Sequence, residues 1–148
     1  MILAPHFTVE EMLKSSDHPD LAGGVYDTPP DVLVNLARLT WSVLHPLRQR
    51  FGPIVITSGY RPRALNAKVG GSHTSRHLTG CAVDFELRRH PSAQAWEEIC
   101  NGGIPWEWDR LAFYAGAQAS GRFHVDIDPE SEDQRGLLYL GDGGWRQV

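Results

Sequence analysis

Two short segments alternate strictly between apolar and polar side chains, and this alternation constrains the chain more than any other feature. In Ala82-Val83-Asp84-Phe85-Glu86-Leu87, the residues Val83, Phe85 and Leu87 fall on one face and Asp84 on the other. In Phe123-His124-Val125-Asp126-Ile127-Asp128, the apolar face is Phe123, Val125 and Ile127, and His124, Asp126 and Asp128 share the opposite face. Successive side chains of a strand point to opposite sides. Each segment therefore reads as a strand with one side in a core and ligand-type side chains turned to a cleft. His77 precedes Asp84 by one short turn, which Gly80 permits. Two imidazoles and one carboxylate can hold a metal ion and leave a coordination position open, as catalytic zinc requires, whereas structural zinc is normally closed by four ligands rich in cysteine. The pattern predicts Zn2+ bound by His77, Asp84 and His124. His73, in a Gly-Gly-Ser loop, reads as a solvent-exposed histidine instead.

The remaining elements predict an α+β layout, a small central antiparallel sheet with helices packed on it. Thr8 and Glu11 have capping-box spacing, and Phe7 and Met12 are placed for a hydrophobic staple. A polar, Gly- and Pro-rich connection runs from Ser15 to Pro30. Leu33, Leu36, Leu39, Val43, Leu44, Leu47 and Phe51 then recur at helical spacing, with Pro46 expected to kink the helix and Gly52-Pro53 to end it. Ile54-Val55-Ile56-Thr57 reads as a buried strand delivering Ser58 to Arg61, where Pro62 prevents a simple continuation. A helix from near Ser92 to Asn101-Gly102 follows, and then antiparallel strands Leu111 to Tyr114 and Arg122 to Ile127, joined by Gly116 and the small polar residues before Gly121.

The block Ser75, His77, Gly80, Ala82 and Asp84, with the later Phe123-His124-Val125, resembles the zinc D-Ala-D-Ala carboxypeptidases and L,D-endopeptidases of the hedgehog/DD-peptidase fold. The likeness extends upstream through Ser58-Gly59-Tyr60-Arg61, Leu65-Asn66 and Gly70-Gly71 to Phe7–Met12, which is similar to the opening helix of small phage and prophage members. It implies a peptidase of peptidoglycan stem peptides, with Arg61 beside the metal holding a substrate carboxylate or the oxygen that gains charge during attack. Ser75 and Asn66 are expected to fix the ligand loop, and Cys81 to pack beside it.

The chain departs from the family pattern where a base is needed. Relatives carry glutamate three residues before the last zinc histidine, where this chain has Gly121, or at the end of a D-Q-x-I-x-E segment, which here reads Asp109-Arg110-Leu111-Ala112-Phe113-Tyr114. Losing a positioned base costs typically about 10²- to 10⁴-fold. Asp126, two strand positions beyond His124 and roughly 6 to 7 Å away, is the candidate replacement base. Orientation of a ligand or of Arg61 is its alternative role. Tyr114, a poor base at neutral pH, is expected to donate a hydrogen bond toward the developing oxyanion. A zinc-stabilised, catalytically weak wall-binding or virion structural module is the competing reading.

Bulk properties narrow the setting. A chain of 148 residues suits one domain, 1–148. Its net charge of −4 offers no basic footprint for nucleic acid or an anionic membrane. Cys81 and Cys100 read as reduced thiols rather than a disulfide framework. The amino-terminal residues have neither the positive start nor the apolar length of a signal peptide, and no stretch is long enough for membrane insertion. The expectation is synthesis in the cytoplasm, with access to the wall through phage-mediated release or carriage in a virion.

Overall fold

The computed structural model describes residues 1–104, 107–115 and 121–141, and the backbone of 145–147. A short hairpin of β1 (Ile2–Ala4) and β2 (Phe7–Thr8) leads into α1 (Val9–Met12). The Thr8 hydroxyl accepts a hydrogen bond from the Glu11 amide and the Glu11 carboxylate accepts one from the Thr8 amide, so the capping box forms as the spacing predicts. Phe7, Val9 and Met12 are buried.

The long apolar helix runs as α2 (Pro30–Leu39), a π-helical stretch (Thr40–Leu44) and α3 (His45–Phe51). Pro46 cannot donate to a preceding carbonyl, and its ring crowds the turn before it. Where a kink was expected, the chain widens: the His45 amide reaches back five residues to the Thr40 carbonyl. The hydroxyls of Thr40 and Ser42 also donate to Leu36 and Arg38 carbonyls, at 2.6 and 2.7 Å. Leu36, Leu39, Val43, Leu44 and Leu47 remain on one buried face through the transition.

Six strands form the main sheet: β3 (Ile54–Ser58), β4 (Ala82–Leu87), β5 (Arg110–Tyr114), β6 (Arg122–Asp126), β7 (Leu137–Gly141) and β8 (Trp145–Gln147), in the order β3-β4-β6-β5-β7-β8. The first four in that order are antiparallel, as expected. β7 then joins β5 in parallel, and β8 returns antiparallel to β7. These last two strands lie beyond the patterned segments of the sequence: Leu137-Leu138-Tyr139-Leu140 has no alternation to mark a strand face. Two further helices, α4 (Arg63–Lys68) and α5 (Ser92–Cys100), complete the layout. The expected connection through Gly116 lies outside the described residues. Both cysteines are free, and no helix among the described residues is long and apolar enough to cross a membrane.

Strand register converts the alternation into two layers. Phe85, Phe123 and Phe113 are cross-strand partners on the core face, their rings 5.1 and 4.9 Å apart, and Trp96 of α5 stacks on Phe113 at 5.7 Å. One residue along, Asp84, His124, Ala112 and Tyr139 make a continuous rung on the opposite face. The aromatic layer thus fixes the register that aligns the polar one.

Candidate metal centre

His77 comes from the 3₁₀ turn Arg76–Thr79, between α4 and β4. Gly80 ends that turn at φ +72°, and a β-carbon there would strike the Val32 carbonyl, so both conformation and space call for glycine. Ser75 caps the turn by accepting from the His77 amide, while Asn66 reaches the Ser72 carbonyl at 3.0 Å and the Arg61 amide bonds the His77 carbonyl at 3.0 Å. Each of the residues expected to steady this loop does so by a hydrogen bond.

His77, Asp84 and His124 offer ligand atoms that all lie within 4.8 Å of one another. His77 Nε2 is 3.4 Å from Asp84 Oδ2, and His124 Nδ1 is 2.7 Å from Asp84 Oδ1. The far nitrogen of each ring has its own acceptor: His77 Nδ1 is 2.7 Å from the Gly59 carbonyl, and His124 Nε2 is 3.1 Å from Asp126 Oδ2. A proton on each far nitrogen leaves the near one as a lone-pair donor aimed at the shared point, the arrangement that holds metal-binding imidazoles in place. This donor set fits zinc. Burial by itself would raise the Asp84 carboxyl, but hydrogen bonds from His124 and His77 hold it well below the usual carboxylate range. Burial opposes a charge on His124, yet hydrogen bonds to Asp126 and Asp84 push its pKa up to about 9. His73, by contrast, is exposed and lies outside the cluster.

Behind His124 stands an ion network, centred on the buried Asp126 and Asp109, that residue patterns did not reveal. Asp126 is completely buried and meets Arg76 Nη1 at 2.6 Å and Arg110 Nη2 at 2.7 Å as well as His124. Although its burial favours the neutral acid, hydrogen bonds from His124 and Arg110 keep its pKa below the ordinary value. Arg76 continues to Asp109 at 2.5 Å, and Asp109 accepts from Arg135 Nε and Nη2 at 2.7 and 2.6 Å. Arg76 fills the unspecified position of the Ser75-x-His77 block, and Arg110 the second position of the Asp109–Tyr114 segment. Both were visible in the sequence without any cue to their partners.

A cleft of about 410 Å³ lies beside the cluster, lined by His124 of the three and by Arg61, Ser75, Arg76, Arg110, Asp126 and Tyr139 together with Gly71, Ser72 and Thr74. A larger hollow of about 470 Å³ lies across the Thr74–Arg76 segment and contains none of the three clustered ligands. Arg61 Nε is buried without a hydrogen-bond partner among the described residues. Burial lowers the Arg61 pKa and the nearby Asp84 charge opposes that shift. Tyr114 stands on the cleft face of β5, its phenol pushed up to about 12 by burial and then by Asp84, with Arg110 acting the other way. Gly121 packs under the Phe113 ring, where any β-carbon would collide with it. Tyr139 entered no motif, because β7 itself was not legible.

Two imidazoles and a carboxylate, gathered from two strands and the turn before them beside a cleft that holds an arginine, define the layout of a metal-dependent hydrolase. A family model for Peptidase M15 matches residues 5–107, and the chain belongs to that family of metallopeptidases. The matched region carries His77, Asp84 and Arg61 and ends before β5, so the third ligand is placed by the sheet register. No curated protein matches the chain.

Proposed function

We propose that this chain is a zinc peptidase that hydrolyses peptide bonds in peptidoglycan stem peptides. The observation that carries the reading is the convergence of His77, Asp84 and His124 with each imidazole oriented from behind by a different acceptor. Zinc held there would polarise the scissile carbonyl and activate water for attack. Arg61 is the substrate-facing cation, whose planar fork suits a carboxylate or a developing oxyanion. Tyr114, protonated throughout the neutral range, serves in this reading as a hydrogen-bond donor toward the reacting carbonyl. Engagement of Asp126 by three donors supports the orienting role over the base role, because a base must release those donors to accept a proton. In this reading the protein comes from a phage or prophage and reaches the wall after release or within a virion.

Tyr114 and Gly121, in the positions where a carboxylate was expected, favour a second reading in which the metal site survives in a weakly catalytic wall-binding or virion module. Incubation of zinc-loaded protein with purified sacculi, followed by mass spectrometry of the released fragments, separates the two. The peptidase releases stem-peptide fragments with one defined new terminus. A module that binds sacculi with zinc in place and releases nothing would overturn the peptidase reading.

A further inference from the structure

Charge is unevenly distributed around the cleft. The chain as a whole is at −4, yet among the described residues three guanidinium groups and one carboxylate, Asp126, line this opening along with His124, whose Nδ1 is 2.7 Å from Asp84. Arg76 is turned inward to Asp109 and Asp126. Arg110 differs: its Nε and Nη2 grip Asp126 at 2.9 and 2.7 Å, while 40% of its side chain remains exposed in the cleft. Asp126 thus holds one edge of a planar fork, and Nη1 lies on the other edge. Such a fork is suited to accept a second carboxylate.

Position in the sheet says where that carboxylate would lie. Arg61 follows β3, Asp84 and His124 stand on β4 and β6, and Arg110 stands on β5, so Arg61 and Arg110 flank the candidate metal centre on opposite sides. Arg110 pairs with Asp126, two residues beyond His124, and is therefore diagonal to that ligand. Diagonal positions are about 7 to 8 Å apart, and an extended peptide advances about 3.4 Å per residue. On the same face of β5, position 114 carries a phenol, so β5 presents Arg110 with no carboxylate beside it on this face.

We propose that Arg110 is a specificity-determining residue whose outer edge receives a carboxylate of the bound peptide, one or two residues from the carbonyl held at the metal centre. The peptide identity of the ligand rests on the peptidase reading. Two sources share this chemistry: the C-terminal carboxylate of a leaving residue, and the α-carboxylate of a glutamyl residue linked through its side chain.

The test is a titration of the protein with two matched pairs, N-acetyl-D-alanyl-D-alanine against its C-terminal amide, and L-alanyl-γ-D-glutamyl-alanine against its glutamyl α-amide. It is run with zinc and repeated on metal-free protein, where hydrolysis cannot intervene and any zinc loss in a variant is immaterial. Wild type should bind the acid of one pair at least about tenfold tighter than its amide, and the pair that responds identifies the source. Arg110→Gln should abolish the preference, and Tyr114→Glu, which leaves the Asp126 contacts intact, should reduce it by placing a carboxylate on the same strand face. Equal binding of acid and amide in both pairs, or a preference that survives Arg110→Gln, would overturn the proposal. Because binding is read without turnover, this result is separate from whether sacculi are cleaved.

Discussion

Gly59 shows how much of the metal centre depends on one backbone group. Its carbonyl fixes the His77 ring, and a β-carbon at this residue would run into the Met12 carbonyl. Gly59→Ala should therefore displace that acceptor and weaken zinc binding about 10- to 100-fold, as losses of such supporting bonds do, measured by competition with a chelating dye. Arg61→Lys should keep fold and zinc but lower kcat/KM by about 10², and unchanged kinetics would remove Arg61 from the site. For His124 the sign is set by its raised pKa: protonation is favoured in the folded metal-free chain, so its contribution to stability is complete below about 6.5 and is lost as pH rises through about 9. Metal-free protein should melt at a lower temperature at pH 9.5 than at pH 6.5 through this group. With zinc at the proposed site His124 would be held neutral, and that component should be absent.

At the scale of elements, the metal centre is only as well aligned as the aromatic layer beneath it. Phe123 stacks on Phe85, packs at a tilt against Phe113 and is almost wholly buried. Phe123→Ala should cost about 3 to 5 kcal/mol, read from denaturant unfolding of the metal-free protein. The alternating strands β4 and β6 could be read from sequence because each has a core face and a polar face, and the capping box of α1 because its bonds are local. The π-helical adjustment at Thr40–Leu44 escaped notice because an apolar stripe has nearly the same spacing on either side of a widened turn. Arg76, Asp109 and Arg135 are far apart in the chain: the β5–β7 pairing brings Arg135 to Asp109, and the turn before β4 brings Arg76 to the same buried carboxylate. No local pattern encodes that meeting, and for the same reason Tyr139 could not be connected with the cleft.

For the whole molecule, one face of the sheet builds the core, and on the opposite face Asp84 and His124 meet His77 from the preceding turn in a candidate metal-binding donor set beside a cleft. Family membership and the convergence of His77, Asp84 and His124 were legible because a metal-binding pattern restricts residue type and spacing together. The candidate catalytic residues beside it were less so: Asp126 can be read as a base or as an orienting group, and its partners Arg76 and Arg110 come from other parts of the chain. Tyr114→Glu should raise sacculus hydrolysis well above wild type if the lost carboxylate is what limits the rate, whereas Gly121→Glu should instead disrupt the packing of Phe113. The most direct test of the central claim is the zinc content of protein purified without chelators and reconstituted with the metal, measured by elemental analysis. One zinc per chain is predicted for wild type and for His73→Ala, with strong loss in His77→Ala and His124→Ala; no stoichiometric zinc in reconstituted wild type would contradict the account.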